Sequence, residues 1–241
     1  AVVKGLEIED LPAITRYMQR QLEKQGVDIR LGREADKAGI LELNPDIVVL
    51  ANGGIPVIPT IPGIENRKVV SSEQLHHQLK FLLQFLGPAA INKLTRLWMP
   101  LGKKVVIIGG GIQGCELAEF LVKRGREVTI ADTAEVMGEG MVNHLKLQLF
   151  AWFREKGVKL ISGIKKYVEI NDKGLVVLMP EGYNQTLKGD SIIAALPLQP
   201  DTSLIKSLEG IIPEIYTAGD CAQPNLIAGA ISDGYRIGRS I

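Results

Sequence analysis

Three glycines and one aspartate in residues 105–132, VVIIGGGIQGCELAEFLVKRGREVTIAD, have the types and spacing that hold a dinucleotide. The glycine turn follows the apolar run of residues 105–108 directly, and Asp132 lies 21 positions after Gly111. A dinucleotide-binding β-α-β unit has a Gly-x-Gly-x-x-Gly turn after its first strand and an acid about 20 residues further on. We therefore predict that the turn and the acid bind a dinucleotide through Gly109, Gly110, Gly111, Ile112, Gln113, Gly114 and Asp132.

Each of these positions has a physical role in the predicted site. Gly109 permits the tight turn, Gly111 lets the backbone approach a pyrophosphate, and Gly114 lets the helix pack closely on the strand. We expect the helix to begin with free N–H groups and a positive dipole end aimed at the phosphates. Asp132 would accept hydrogen bonds from the ribose hydroxyls and repel a 2′-phosphate. No Arg or Lys follows it in ADTAEVMGE, which favours NADH over NADPH. The alternative is a glycine-rich turn that binds nothing.

A second group of polar and small residues lies in residues 215–241, IYTAGDCAQPNLIAGAISDGYRIGRSI. A short predicted strand, residues 215–217, leads to Ala218, Gly219 and Asp220, and an apolar helix follows. An acid at a helix start can hold a polyhydroxyl chain, while the helix N-terminus favours a phosphate. The pattern therefore predicts a second nucleotide-type site around Asp220.

The elements that position these residues follow from hydrophobic periodicity and from glycine and proline punctuation. Alternating strands and helices predict a parallel α/β sheet, and turn signals at Asn171-Asp172-Lys173-Gly174 and Glu181-Gly182 predict an antiparallel meander. We predict helices at residues 11–25 and 141–156, a helix start at 71–73, and strands at 27–31, 47–51, 158–162, 167–170, 175–179, 185–188 and 191–195.

Residues 73–99 contain two strongly apolar predicted helices, broken at Gly87-Pro88. One reading is a helical insertion packed on the domains. The other is an interface with a missing domain or with a second subunit, because paired apolar faces on a connector need a partner. The interface is the sharper of these hypotheses, and a homo-oligomer formed through residues 73–99 is one form of it.

Composition excludes several classes of function. The formal charge is +1 over 241 residues, which suggests neither nucleic acid nor an anionic membrane as a partner. Only Cys115 and Cys221 are present, which fits a reducing cytoplasm. His76, His77 and His144 lack metal-ligand spacing, so we predict no metal site. The first residue is Ala rather than Met, from which we expect a processed chain or a piece of a longer one.

Three motifs in order carry a resemblance to a known family. IYTAGD resembles the FAD signature of flavoproteins with two dinucleotide-binding domains, and GGGIQGCELA matches their NAD fingerprint. PDIVVLANGGIPVIPTIPGI, residues 45–64, is similar to the segment that joins their FAD and NAD domains, with Asn52 where Thr is usual. Together with ALPLQPDTSLIKSLEG, these stretches resemble the C-terminal half of NADH:flavin oxidoreductases. This is the enoate reductase and 2,4-dienoyl-CoA reductase group of the pyridine nucleotide-disulfide oxidoreductase-like superfamily.

The resemblance implies an electron path from NADH through FAD and a [4Fe–4S] cluster to FMN in a (β/α)8 barrel, which reduces an activated C=C bond. It also implies roles for residues outside the glycine turn. Gly219 and Asp220 would hold the FAD ribityl region, and Asn52, Gly53 and Gly54 would lie near FAD at the domain crossover. Glu116 would lie near the nicotinamide, or alternatively be a charge favoured by the helix dipole. Pro197 would lie at the nicotinamide end of the NAD domain.

The sequence departs from the family pattern in three ways. Ile112 stands where many relatives have a Tyr that covers the nicotinamide. Leu196-Pro197 replaces a more usual Gly-containing turn. The first FAD fingerprint, the FMN barrel and the cysteine cluster are absent from these 241 residues. We therefore expect a missing N-terminal barrel and fingerprint region as partners of this chain.

The predicted fold is α/β, with a Rossmann-like NAD-binding domain of parallel sheet and β-meander inserted in a partial FAD-binding domain. The predicted limits are 1–72 for the first FAD part, 73–100 for a helical connector, 101–209 for the NAD domain and 210–241 for the last FAD part. The predicted function is the NADH-binding part of a flavin-dependent oxidoreductase. The alternatives are a non-catalytic dinucleotide-binding module and another NADH-dependent flavin reductase or oxidase.

Overall fold

The computed structural model describes residues 11–71, 95 and 99–241. They form two compact units: the described part of Ile58–Pro197, and the described residues up to Val57 together with Leu198–Ile241. Most of the predicted 73–99 helices, with His76 and His77, lie outside the described residues, so the interface hypothesis for that segment stays a prediction. The domain limits given by the sequence also stay a prediction.

The first unit is built on a parallel sheet of five strands. Their spatial order is β3 (Val69–Ser71), β10 (Ser191–Ala194), β4 (Lys104–Ile108), β5 (Glu127–Ala131) and β6 (Lys159–Ile161). Helix α3 (Ile112–Val122) connects β4 to β5, and α4 (Asn143–Glu155) connects β5 to β6. Because both faces of such a sheet are covered, its central strands are continuous apolar runs rather than alternating ones. The predicted Rossmann-like fold is confirmed.

Both faces of β4 are buried, which explains why four apolar residues stand in a row before the glycine turn. On one face, Val105 and Ile107 pack in a core that contains Cys115 of α3 and Phe153 of α4. On the other face, Val106 and Ile108 pack against the inner side of a meander. That meander consists of β7 (Lys166–Asn171), β8 (Gly174–Leu178) and β9 (Asn184–Lys188), as the turn signals predicted.

The C-terminal end of α3 is held by a buried arginine. Arg124 is 4% exposed, and its guanidinium lies 3.5 Å from the centre of the Phe120 ring. Its Nε donates a hydrogen bond to Thr95 Oγ1 at 3.0 Å, and its Nη1 donates to the Phe120 carbonyl. These contacts satisfy a buried charge and fix the helix whose other end follows the glycine turn.

The second unit contains two small sheets. Strands β1 (Ile47–Leu50) and β12 (Glu214–Thr217) pair in parallel, and β2 (Gly54–Ile55) pairs antiparallel with β11 (Gln199–Pro200). The helices are α1 (Leu11–Lys24), α2 (Lys37–Glu42), α5 (Ser203–Leu208), the 3₁₀ turn Gly219–Cys221 and α6 (Ile227–Gly238). Its core includes Ile40, Val48, Leu50, Leu208, Ile212 and Cys221. No helix in the described part of the chain is long and apolar enough to cross a membrane.

The predicted strand at residues 27–31 is wrong. This segment follows α1 without pairing to any described strand, and its apolar side chains are exposed: Val27 by 47%, Ile29 by 40% and Leu31 by 87%. Alternation alone does not make a strand where no neighbour supplies the ladder hydrogen bonds. The predicted helix start at 71–73 is wrong at Ser71, which ends β3, and its other two residues lie outside the described part.

Candidate functional site

The glycine turn of the first unit needs glycine at two of its positions for packing reasons. Gly109 has φ +104°, and a Cβ there would lie 2.5 Å from the Ala195 carbonyl oxygen. A Cβ on Gly114 would lie 2.0 Å from the Gly109 carbonyl oxygen, so α3 can approach the end of β4 only without a side chain at this position. These contacts match the predicted roles of the first and third glycines.

Gly111 is different because no described residue crowds it. It is the N-cap of α3 at φ −67°, and a Cβ there would meet just one neighbouring atom, the Glu139 carbonyl oxygen at 3.9 Å. The amide groups of Gln113 and Gly114, in the first turn of α3, have no acceptor among the described residues. Open space beside unpaired N–H groups at a helix N-terminus is the arrangement that receives a phosphate.

The expectation that α3 begins with free N–H groups is wrong for its first residue. Ile112 N–H donates to the Glu139 carbonyl at 2.9 Å. Gly110 also has its contacts within the chain. Its N–H donates to the Asp132 carboxylate, and a Cβ on it would lie 2.9 Å from Met137 Cγ. Gly110 therefore packs against the chain instead of facing open space, and within α3 the groups left for an anion begin at Gln113.

Asp132 has a structural role that the sequence did not indicate. Its Oδ2 accepts from Gly110 N–H, and its Oδ1 accepts from Ala134 N–H at 2.9 Å. The side chain is half-buried at the end of β5. Each carboxylate oxygen can accept more than one hydrogen bond, so Asp132 can fix the turn and still bind ribose hydroxyls. The spacing of Asp132 from the glycines indicated the contact with ribose hydroxyls, and it did not indicate the hydrogen bonds that fix the turn.

Two side chains of α3 follow the glycine turn and differ in exposure. Cys115 is fully buried, with its thiol donating to the Gly110 carbonyl at 3.4 Å, and burial raises the pKa of this thiol to about 11. Glu116 is exposed, and partial desolvation, followed by the nearby Glu119 charge, raises the pKa of its carboxyl. A thiol with so high a pKa is a packing group and not a nucleophile at neutral pH.

The second unit contains a cleft of about 300 Å³. Small residues form much of its wall, so backbone is accessible there, and one acid lies among them. The lining residues are Ala51, Gly53, Ala218, Gly219, Asp220, Asn225, Leu226, Ile227 and Ala230. The volume is at the lower end of the range for ligand sites. The structure thus brings Gly53 together with Gly219 and Asp220, which stand more than 160 positions apart in sequence.

Asp220 occupies the 3₁₀ turn after β12 and not the start of a long helix, as the sequence had suggested. Helix α6 begins at Ile227, and the intervening loop is tied back by a bond from Asn225 N–H to Asp220 Oδ1 at 3.1 Å. The other oxygen, Oδ2, receives no hydrogen bond from the described residues. Gly219 N–H donates to Asp233 Oδ2 at 3.1 Å, and this bond is the main cause that lowers the pKa of Asp233.

The segment Asn52-Gly53-Gly54 adjoins Asp220 on the other side of the cleft. Gly53 has φ +85°, and a Cβ on Gly54 would lie 2.8 Å from the Gln199 carbonyl oxygen and 3.5 Å from Asp220 Cβ. Asn52 contacts Asp201, where it adds a minor contribution to a pKa lowered chiefly by Ser203. Glycine is therefore required where the chain passes beside the acid.

Pro197 belongs to the first unit, whereas Asn52, Gly53, Gly54 and Asp220 belong to the second. It is exposed at the end of the first unit, directly after Leu196, whose Cδ2 would lie 3.3 Å from a Cβ on Gly109. A position next to the residue that packs on the glycine turn is consistent with a contact to nucleotide. Its cofactor contact stays a prediction, as do those of the other site residues.

The sequence matches the family model described as pyridine nucleotide-disulphide oxidoreductase over residues 35–234. This range spans the glycine turn, Asp132, the crossover and Asp220. The chain belongs to the pyridine nucleotide-disulphide oxidoreductase family. The glycine turn with Asp132 and the cleft around Asp220 thus both lie inside the matched range.

The relatives of this chain described below are reductases and an oxidase. The chain is 27% identical over 226 residues to an NADH oxidase of Thermoanaerobacter brockii and 31% identical over 238 residues to a cinnamate reductase of Clostridium sporogenes. These alignments cover 92% and 97% of the chain but 32% of each relative. A 2-naphthoyl-CoA reductase structure has 29% identity and a TM-score of 0.82, with 100% of this chain and 34% of that one covered. They support the enoate reductase-like group, and the chain spans about a third of their length.

The raised pKa of Glu116 predicts that substituting this residue changes the stability of the chain in a pH-dependent way. Its pKa is raised on folding, so the ionised carboxylate is less favourable in the folded state than in the unfolded one. Above the folded pKa this lowers stability, and below the unfolded pKa the effect is absent. We expect Glu116→Gln to raise the free energy of unfolding at pH 7. The gain should be less than about 1 kcal/mol, because the side chain is exposed and its charge is screened by solvent.

The gain in stability from Glu116→Gln should disappear at low pH, where the Glu116 carboxyl is protonated in both the folded and the unfolded state. Urea unfolding followed by tryptophan fluorescence, to which Trp152 of the same unit contributes, measures stability at both pH values. Glu181→Gln in the exposed β8–β9 turn is the matched control. A gain that is equal at both pH values would show that the effect is not electrostatic.

Proposed function

We propose that this chain is the NADH-binding part of a flavin-dependent oxidoreductase and passes hydride from NADH to FAD. The observation that carries the proposal is that one chain contains two nucleotide-type cradles, one in each unit. The first is the glycine turn with Asp132, and the second is the small-residue cleft with Asp220. A direct dehydrogenase needs one such cradle, whereas transfer between two nucleotides needs both.

In the first cradle, the open space at Gly111 and the unpaired amides of Gln113 and Gly114 fit a pyrophosphate. Asp132 would accept hydrogen bonds from the adenosine ribose, and its negative charge would repel the 2′-phosphate of NADPH. NADH supplies a hydride when bound. The residues of this chain supply position and charge, and the buried thiol of Cys115 takes no part.

In the second cradle, the free Oδ2 of Asp220 would accept from the ribityl hydroxyls of FAD. The small walls at Gly53 and Gly219 allow the backbone to approach the cofactor, and the N-terminus of α6 favours a phosphate. FAD supplies the flavin ring that accepts the hydride when bound. Orientation and electrostatics are the protein's contribution, and no side-chain general acid or base is required for this transfer.

The whole enzyme is proposed to reduce an activated C=C bond with FMN in a barrel domain and a [4Fe–4S] cluster outside this chain. The cinnamate and 2-naphthoyl-CoA reductases among the relatives support this reaction class. Cys115 and Cys221 are too few to ligate such a cluster here. The NADH oxidase among the relatives supports the second candidate, in which electrons pass to oxygen.

The proposal predicts that Asp132 determines the choice of nucleotide. Asp132→Asn should weaken NADH binding about tenfold, because it removes a charged acceptor of the ribose hydroxyls and of Gly110 N–H. Asp132→Arg should weaken NADH binding further and shift the preference toward NADPH, because a 2′-phosphate partner is gained. Titration calorimetry with NADH and NADPH measures both effects.

Asp172→Arg, in the exposed β7–β8 turn, makes the same change of charge outside the glycine turn and should leave NADH binding unchanged. An NADH affinity that is the same before and after Asp132→Arg would refute the assignment. Binding of NADH without any binding of FAD would instead favour the non-catalytic dinucleotide-binding module.

A further inference from the structure

Asp233 lies within α6 and binds the residue that precedes Asp220. Its Oδ2 accepts a hydrogen bond from Gly219 N–H at 3.1 Å, across 14 positions of the chain. Its Oδ1 accepts from Arg236 Nη2 at 3.3 Å. The side chain of Asp233 is 29% exposed, whereas that of Arg236 is 72% exposed. The bond to Gly219 therefore joins α6 to the 3₁₀ turn that contains Asp220, and the bond to Arg236 is an exposed contact within the helix.

Helix α6 contacts Gly219 through two residues on the same face. A Cβ on Gly219 would lie 3.3 Å from Ala230 Cβ, so Ala230 lies beside the α-carbon of this glycine. Ala230 stands three residues before Asp233, a spacing that puts both side chains on one face of the helix. This face of α6 therefore packs against Gly219 and also accepts the hydrogen bond from its amide.

Gly219 needs such a contact because glycine by itself does not hold one backbone conformation. Its φ is +68°, in the left-handed region, and a glycine reaches several other regions at little cost. Gly219 N–H is also the main cause of the lowered pKa of the Asp233 carboxyl, followed by Arg236. Hydrogen bonds to an ionised acceptor are stronger than those between neutral groups. The Asp233 carboxylate thus selects one orientation of a peptide that is otherwise free to change.

The position of the Asp220 carboxylate depends on the orientation of that peptide. Asp220 directly follows Gly219, and both residues line the cleft of the second unit. Asp220 Oδ1 accepts from Asn225 N–H at 3.1 Å, while Oδ2 receives no hydrogen bond from the described residues. A rotation about the backbone bonds of Gly219 would move Oδ2 relative to the cleft. The lining residues of the cleft include Ala230 but not Asp233.

We infer that Asp233 is a positioning residue of the second cradle, which fixes the Gly219 peptide and thereby directs Asp220 Oδ2 toward the ribityl hydroxyls of FAD. The inference rests on the proposed FAD site. Asp233 acts through Asp220 and does not itself contact the cofactor. Without its carboxylate, Asp220 has the binding orientation in a smaller fraction of chains, and the apparent FAD affinity falls by that fraction.

Asp233→Ala tests this role in a calorimetric titration of the purified chain with FAD. We expect FAD to bind about tenfold more weakly, because a hydrogen bond to a charged group is lost. Alanine is the better helix former, so we expect this variant to fold, which circular dichroism checks. Asp233→Asn keeps an oxygen that can accept from Gly219 N–H and should bind FAD within roughly threefold of the parent chain. Arg236→Gln removes only the exposed ion pair and should leave FAD binding unchanged.

A double-mutant cycle with Asp220→Ala separates positioning from a general structural effect. If Asp233 acts through Asp220, Asp233→Ala should weaken FAD binding less than about twofold in a chain that already has Asp220→Ala. The positioning role would be overturned by an equal loss in both backgrounds, by unchanged FAD affinity of Asp233→Ala, or by an Asp233→Asn chain that binds as weakly as Asp233→Ala. A parent chain that binds no FAD would instead refute the proposed function, and this inference with it.

Discussion

Replacement of Gly111 by alanine is expected to weaken NADH binding at least tenfold while the chain folds normally. The position has φ −67°, which alanine adopts freely, and the nearest atom to the new Cβ is the Glu139 carbonyl oxygen at 3.9 Å. No packing cost opposes the substitution. The methyl group instead occupies open space at the N-terminus of α3, where we place the pyrophosphate. Losing one hydrogen bond to a charged group costs about 1.5–3 kcal/mol.

Two measurements separate binding from folding for Gly111→Ala. Titration calorimetry gives the NADH affinity, and urea unfolding gives the stability, for which we expect a loss of about 1 kcal/mol or less from the weaker N-cap. Gly182→Ala serves as a control remote from the turn. Unchanged NADH affinity in a folded Gly111→Ala chain would place the pyrophosphate elsewhere.

Gly114→Ala is expected to act on the fold itself. Helix propensity alone predicts that alanine in the first turn of α3 stabilises the chain by up to about 1 kcal/mol. Packing predicts the opposite, because the new Cβ would lie 2.0 Å from the Gly109 carbonyl oxygen and 3.6 Å from Ile107 Cγ2. Backbone cannot yield as a flexible side chain can, so α3 must move away from β4. We expect a net loss of about 2–3 kcal/mol in the free energy of unfolding, together with loss of NADH binding.

The sign of the stability change decides between these two effects. Gly234→Ala, in the interior of α6 with no atom within 4 Å of its Cβ, keeps the propensity gain without the clash and should not destabilise the chain. Urea unfolding followed by circular dichroism compares both variants with the parent chain. A Gly114→Ala chain as stable as the parent would show that α3 does not need this close approach.

The sequence predicted the elements whose pattern follows from burial. Both faces of β4 are covered, so its apolar run marked it as a buried strand, and the glycine at position 174 marked the β7–β8 turn. The glycine spacing also identified the two positions, 109 and 114, where backbone atoms would collide with a Cβ. Each of these features has a signal in residue types within a few positions, although the atom that a Cβ on Gly109 would meet, the Ala195 carbonyl oxygen, comes from far along the chain.

What the sequence did not reveal depends on main-chain groups far along the chain. The Glu139 carbonyl that takes the Ile112 amide comes from a residue 27 positions later, and a carbonyl has no sequence signature. The role of Asp132 as acceptor for Gly110 N–H was hidden for the same reason, because that amide lies 22 positions away. Residues 27–31 alternate like a strand, but whether a partner strand exists is a tertiary property.

The proposed transfer of hydride from NADH to FAD is tested most directly by an anaerobic titration of the purified chain, supplied with FAD, with NADH and separately with NADPH. The visible absorbance of the bound flavin reports its reduction. The account predicts that FAD binds and that NADH bleaches it far faster than NADPH does, with the NADH reaction lost in Gly111→Ala. Bound flavin that NADH leaves oxidised, or a chain that binds no FAD, would contradict it.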